Sequence, residues 1–199
     1  MKVTIHQPEH FPYEGFFQKM MSADVFVVLD NVNFRKNYFQ NRNKFLNTQG
    51  QEEWFGFPVS KKSTNLILKN VVPVDNNTMP WKEKLFRKLE MNLGKDDDII
   101  EIYDNKTLLD INMAGIRWAM KKMKIETPIV YASELEVNGS KTELLASICN
   151  SLNAKTYISG PSGKQYLDIS EFSNKNISVE FFEPKVKNYY SMLYNIKRK

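Results

Sequence analysis

A short β-prone run at 3–5 (Val3, Thr4, Ile5) enters His6-Gln7-Pro8, and Pro8 has no amide hydrogen with which to continue a central strand. The chain must turn directly after it. Over 15–23, Phe16, Phe17, Met20 and Met21 recur at helical spacing, which predicts a short amphipathic helix with Gln18, Lys19 and Ser22 on its wet face. Asp24 ends that helix. Residues 25–29 then form a continuous β-branched and aromatic run, the pattern of a strand covered on both faces. Strand, helix and strand in this order make a βαβ unit, whose parallel strands end on the same side of the sheet. His6, Gln7 and Asp30 are thereby expected at one edge, where open α/β sheets bind ligands.

The next segment, 31–43, carries Arg35, Lys36, Gln40, Asn41 and Arg42 with Phe34, Tyr38 and Phe39 interleaved. Its polar side chains suit hydrogen bonds to anions and amides, while the aromatics either stack on a ligand or pin the loop to the core. Strands are expected at 44–47, 54–59 and 66–72, the first two joined through Thr48-Gln49-Gly50. Lys61-Lys62-Ser63 reads as a solvated loop or a basic lip. Trp81, Leu85, Leu89 and Leu93 repeat every four residues ahead of Gly94. Thr107 with Asp110 caps a second helix carrying Leu109, Met113, Ile116, Met120 and Met123. These two form a helical insert at about 78–124. Alternation then resumes with a strand at 128–132. A helix follows, capped by Ser140 and Glu143, with Leu144, Leu145, Ile148, Cys149 and Leu152 on one face. Strands at 154–159 and 177–182 enclose a short helix within 165–172, and 189–196 is apolar enough to pack. The order predicts an α/β fold: a mostly parallel central sheet flanked by helices, with a β-hairpin region and a helical insert, in a single domain over 1–199.

A second candidate site lies where strand 154–159 runs into Gly160-Pro161-Ser162-Gly163-Lys164. Ser159, Gly160, Ser162, Gly163 and Lys164 offer amides, hydroxyls and one positive charge to a phosphate or carboxylate. The glycine spacing and the Lys-Ser/Thr pair of a P-loop are absent, so an anion site and a plain tight turn both remain open. The alternating order sets this turn at the same sheet edge as His6. A net charge of +5 suits phosphorylated ligands and falls well short of a nucleic-acid footprint, so no stable nucleic-acid complex is expected. One cysteine, Cys149, cannot form an intrachain disulfide and reads as a buried thiol. Two histidines and that distant cysteine have no metal-ligand spacing. With no long apolar run and no apolar signal core, a cytoplasmic protein without a transmembrane segment is expected.

Several of these stretches resemble the WbqC-like family. They are His6-Gln7-Pro8; Pro12-Tyr13-Glu14-Gly15-Phe16-Phe17; Ala23-Asp24-Val25-Phe26-Val27 with Leu29-Asp30; Gln40-Asn41-Arg42; and the run from Ala154 to Gly163 with Tyr166-Leu167. The resemblance implies a place among proteins that build O-antigens and other bacterial surface polysaccharides, described as glycine or aminoacyl transferases acting on amino sugars. Its expected substrates are a nucleotide- or lipid-linked sugar and an activated acyl or aminoacyl donor. Other members tend to carry a His-Pro-containing segment where this chain has Phe182-Glu183-Pro184-Lys185-Val186, which leaves His6 as the catalytic candidate.

In N-acyl transfer His6 would act as base, oriented by Asp30 if the two are within reach. Gln7, Asn41 or the amides of 160–163 would polarise the carbonyl, and Arg35, Arg42 and Lys164 would take phosphate, with Gln40 beside them. His10 reads as a structural histidine. Two other classes compete: a nucleotidylyltransferase using His6 and His10 against a phosphate, although the usual glycine between them is missing, and a non-catalytic module binding RNA or a partner.

Overall fold

The computed structural model describes residues 1–198, without the side chains of Lys61 and Thr64; of the stretch Lys61-Lys62-Ser63, read as a solvated loop or a basic lip, the Lys61 side chain lies outside what is described, as does the tail end at Lys199. In chain order the elements are β1 (Lys2–His6), α1 (Glu14–Met21), β2 (Val25–Val28), β3 (Arg42–Leu46), β4 (Glu52–Gly56), α2 (Trp81–Leu93), α3 (Asp97–Ile102) and α4 (Leu108–Met123). They continue with β5 (Ile129–Tyr131), α5 (Lys141–Ser151), β6 (Thr156–Ser159), α6 (Ser170–Ser173), β7 (Ser178–Phe181) and α7 (Met192–Lys197). The chain divides into two compact units: Met1–Gln7, Gly15–Asp30 and Glu126–Lys187 form the first, and Pro8–Glu14, Asn31–Ile125 and Asn188–Lys199 the second.

The first unit is built on a five-stranded sheet in the order β5-β2-β1-β6-β7, with every neighbouring pair parallel. Val3, Ile5, Phe26, Val27, Val28, Tyr157 and Ile158 are all buried, which is why these strands read as apolar runs rather than alternating ones. The α/β class expected from the order of elements is the one adopted. Helix α5 buries Leu144, Leu145, Ile148 and Cys149 as its spacing predicts, although Ser140 at its N-cap makes no side-chain capping bond. Helix α1 departs from expectation. Its buried face holds Phe16, Phe17, Lys19 and Met20, while Met21 is 50% exposed. Lys19 follows Phe16 by three positions and so shares its face. Its Nζ turns back to donate to Ile5 O at 3.3 Å, which makes burial of the stem tolerable.

In the second unit β3 and β4 form the expected antiparallel ribbon, turning through Gly50 at φ 76°. Trp81, Leu85, Leu89 and Leu93 are the buried residues of α2, each contributing about 1.5–3 kcal/mol on full burial. Thr107 caps α4, its Oγ1 accepting from the Asp110 amide at 3.1 Å. The region expected to hold two helices holds three, α2 to α4. The strand expected at 66–72 is not formed. Phe34 N donates to Leu66 O (3.0 Å) and Leu68 N to Val32 O (2.8 Å), after which the backbone tightens into a 3₁₀ turn, Leu68–Asn70. Leu68 and Val71 are buried, whereas Leu66, Ile67 and Val72 face water, a spacing that no strand can produce.

Candidate functional site

In the first unit the strand order reverses at β1. The chain passes from β1 to β2 and β5 on one side and returns as β6 and β7 on the other. The carboxyl ends of β1 and β6 flank that switch point, the place where doubly wound sheets form ligand crevices. His6 is the last residue of β1 and Ser159 the last of β6, on adjacent parallel strands with Thr4 paired to Ile158. His6 pairs with Val28 on the other side, and Leu29 N donates to His6 O at 2.8 Å, which brings Asp30 to the same edge.

The imidazole is constrained on several sides. Its Nδ1 lies 2.9 Å from Gln7 O, and since a carbonyl can only accept, Nδ1 carries the proton and Nε2 keeps its lone pair. Phe16 meets the ring edge-on at 5.0 Å between centroids. Desolvation, then the nearby Lys19 ammonium, hold its pKa down at about 3, against a weaker opposing pull from the Gln7 hydrogen bond. His6 is therefore a neutral acceptor at neutral pH. Asp30 is buried and is not its orienting partner: Oδ1 accepts from Ser133 N (2.9 Å) and Oδ2 from Ser133 Oγ (2.6 Å), clamping the segment after β5 to the end of β2.

The glycine turn after β6 is a short 3₁₀ segment, Pro161–Gln165. Ser159 Oγ donates to Gly160 O at 3.1 Å, and the Gly163 amide donates to the same oxygen at 3.0 Å. Gly163 packs so closely on Ser159 Oγ that a Cβ there would collide with it. Ser162 and Lys164 are exposed, and Lys164 pairs with Glu183 at 2.7 Å. The turn thus stands at the edge expected of it, with the Gly163 amide already committed.

Arg35, Gln40, Asn41 and Arg42 belong to the second unit. Gln40 is buried and accepts from the Arg35 amide at 2.7 Å. Arg35 lies 4.4 Å over the Tyr38 ring and Arg42 4.5 Å over Trp54. Asn41 Nδ2 donates to Phe57 O at 2.9 Å. His10 is fully buried in the aromatic core of this unit, with Phe11, Phe55, Phe57 and Tyr103 at centroid distances of 5.1–5.7 Å and its Nε2 3.0 Å from Tyr103 OH. Burial lowers its pKa to about 3.

The stretch from Pro8 to Phe11 is held by two asparagines. Asn43 donates to His10 O (3.1 Å) and Phe11 O (2.8 Å), and Asn112 to Pro8 O (3.0 Å) and Gln40 O (2.6 Å). They fix a backbone that includes Phe11 at φ 43°, a region bulky side chains rarely enter.

The WbqC-like protein family model matches residues 7–195. The chain belongs to that family. It is also 27% identical over 192 residues to "Uncharacterized protein Rv1507c" of Mycobacterium tuberculosis (strain ATCC 25618 / H37Rv), covering 92% of this chain and 82% of the relative. No solved structure matches. Among the described residues no helix is long and apolar enough to cross a membrane, and no three His, Cys, Asp or Glu side chains gather where they could hold a metal ion.

For this WbqC-like chain the sequence-based expectations include neither Ser133 nor the stripe Trp81, Lys84 and Lys88 as site residues, and they set Lys19 on the wet face of α1, where the structure buries it. Lys19 was legible from its i+3 spacing to Phe16, and the α2 stripe from i, i+3, i+7. Nothing local marks Ser133 as the partner of a carboxylate 103 positions away.

Proposed function

We propose that this protein is a transferase of bacterial surface-polysaccharide biosynthesis that places an acyl or aminoacyl group, glycyl among them, on the amine of a sugar carried on a nucleotide or lipid. The observation that carries the reading is His6: a neutral imidazole at the switch-point edge, its Nδ1–H tied to Gln7 O so that Nε2 is the accepting nitrogen. The amine nitrogen attacks the acyl carbonyl, a C–N bond forms and the bond to the donor's leaving group breaks. Nε2 accepts a hydrogen bond from the amine and orients its attack, and the proton lost by the amine goes to the leaving group as it departs, so that no full imidazolium stands beside Lys19. Lys19 sets a positive charge near that exchange, Gln7 positions the ring, and the clamp from Asp30 to Ser133 fixes the neighbouring strand ends. Ser159, Gly160, Ser162 and Lys164 at the adjoining strand end are the polar groups proposed to meet the donor.

The test is incubation with amino-sugar nucleotides and activated acyl or aminoacyl donors, read by mass spectrometry. Amide product is expected from the wild-type chain and a loss of about 10²-fold or more in His6→Ala. Full activity in that variant removes His6 from the mechanism. Pyrophosphate release without amide formation would mean nucleotidyl transfer instead.

A further inference from the structure

The second unit contains a groove of about 310 Å³, at the lower end of the range for small-molecule sites. Trp81, Lys84 and Lys88 line it from one face of α2, and Asn41, Arg42 and Trp54 from the β3–β4 ribbon and its approach. Three cations line this groove and, among the described residues, no carboxylate does.

The cations are not equally engaged. Lys88 is committed, donating to Trp54 O at 2.8 Å and pairing with Glu53 at 2.9 Å. Arg42 lies over the Trp54 ring and donates to Asn37 O at 2.7 Å, yet its Nε and the Oδ1 of neighbouring Asn41 are buried with no hydrogen-bond partner. Lys84 is exposed and makes no hydrogen bond or ion pair among the described residues. Trp54 remains 42% exposed.

An unspent ammonium, a donor on Arg42 and an acceptor on Asn41 each left unmatched in the lining, and a half-open indole call for a ligand that is anionic, hydroxylated and partly apolar. A sugar phosphate has all three properties: an apolar C–H face for the indole, hydroxyls that both donate and accept, and a phosphate for Lys84. A single nucleic-acid strand suits the groove less, because it needs a longer basic track than the three cations lining this groove.

We infer that this groove binds a sugar phosphate. The inference rests on the transferase reading only for the ligand's role as acceptor, since binding requires nothing of His6.

Calorimetric titration with N-acetylglucosamine 1-phosphate, UDP-N-acetylglucosamine, free N-acetylglucosamine and inorganic phosphate tests it. Saturable binding of a phosphorylated sugar is expected, about tenfold or more tighter than either the free sugar or phosphate, and the preferred probe tells a free from a nucleotide carrier. Lys84→Gln, at an exposed and unpaired position, should keep the wild-type melting curve and weaken binding about tenfold. Trp54→Leu should weaken both the phosphorylated and the free sugar. The proposal is overturned by absence of saturable binding at millimolar ligand, by inorganic phosphate binding as tightly as the sugar phosphates, or by unchanged affinity in both variants. Binding without any amide product leaves the groove standing and removes the transfer reading. Amide formation by a chain that binds no sugar phosphate does the reverse.

Discussion

Protonation of His10 should be among the largest single terms in the acid sensitivity of this protein. The ring is sealed among Phe11, Phe55, Phe57 and Tyr103, and burial holds its pKa at about 3 against an ordinary 6.5. Below pH 6.5 the unfolded chain binds a proton that the native state refuses. Stability is therefore unaffected above that pH, falls as pH drops from 6.5 towards 3, and levels off below it. At pH 4.5 the gap of two pH units costs about 3 kcal/mol, a large share of the roughly 5–15 kcal/mol that holds a domain together. The neighbouring Asn112 opposes the shift only weakly. Its amide hydrogens are committed to Pro8 O and Gln40 O, and its Oδ1, like His10 Nδ1, is buried without a well-formed partner.

His10→Phe isolates this term. The substitution keeps an aromatic ring among aromatic rings but strands the Tyr103 hydroxyl, at a cost of about 1–3 kcal/mol at every pH. Urea unfolding at pH 7.5 should show the variant less stable by that amount. At pH 4.5 the wild type has lost about 3 kcal/mol that the variant never had at risk, so the two curves should meet or cross. Carboxylates titrate in both proteins and cancel in the comparison. Parallel losses of stability in wild type and variant between pH 7.5 and 4.5 would refute the argument.

Two further outcomes follow from the packing. A Cβ on Gly56, at φ 151°, would strike Asn41 O and come within 2.6 Å of Arg42 Cα across the ribbon, so Gly56→Ala should cost about 2–4 kcal/mol in urea unfolding; a loss under about 0.5 kcal/mol would show that the ribbon yields freely. Cys149 is fully buried, and burial pushes its thiol up to about 12 from an ordinary 9.0. At pH 8 ionisation alone should slow disulfide-exchange labelling of the native chain about 10³-fold relative to the urea-unfolded chain, and rates within tenfold of each other would contradict the burial.

What the sequence makes legible here is local. The every-fourth repeat of Trp81 to Leu93, the Thr107 cap and the run at 25–29 each fix an element by contacts within a few residues, and each forms as expected. The run at 66–72 has apolar content enough for a strand, but its amides and carbonyls are taken by Val32 and Phe34 in a pairing no local pattern announces. The His6-to-Phe17 stretch reads as one motif, yet the chain changes compact unit at Gln7 and again near Gly15, because side chains from 43 and 112 fix its middle. Composition places Lys19 on the wet side of α1; its i+3 relation to Phe16 places it inside, and the geometry follows the spacing.

The two histidines show why a displaced pKa is not in itself a functional signal. Both are lowered to about 3, and desolvation is the leading cause for each. They differ in what their nitrogens can still do. His10 gives Nε2 to Tyr103 and is closed on every side by rings, so its low pKa records only the cost of charging a core. His6 gives Nδ1 to a carbonyl, retains a lone pair on Nε2, is only part-buried, and ends a strand where the sheet changes direction. The second contribution to its shift is also different in kind. A buried ammonium three residues after Phe16 disfavours the imidazolium directly, and a positive charge that keeps an imidazole neutral would also favour negative charge developing on a substrate beside it. In the proposed reaction Lys19 and His6 would act as one arrangement, and the burial of Lys19 is part of what distinguishes the His6 edge from the His10 core.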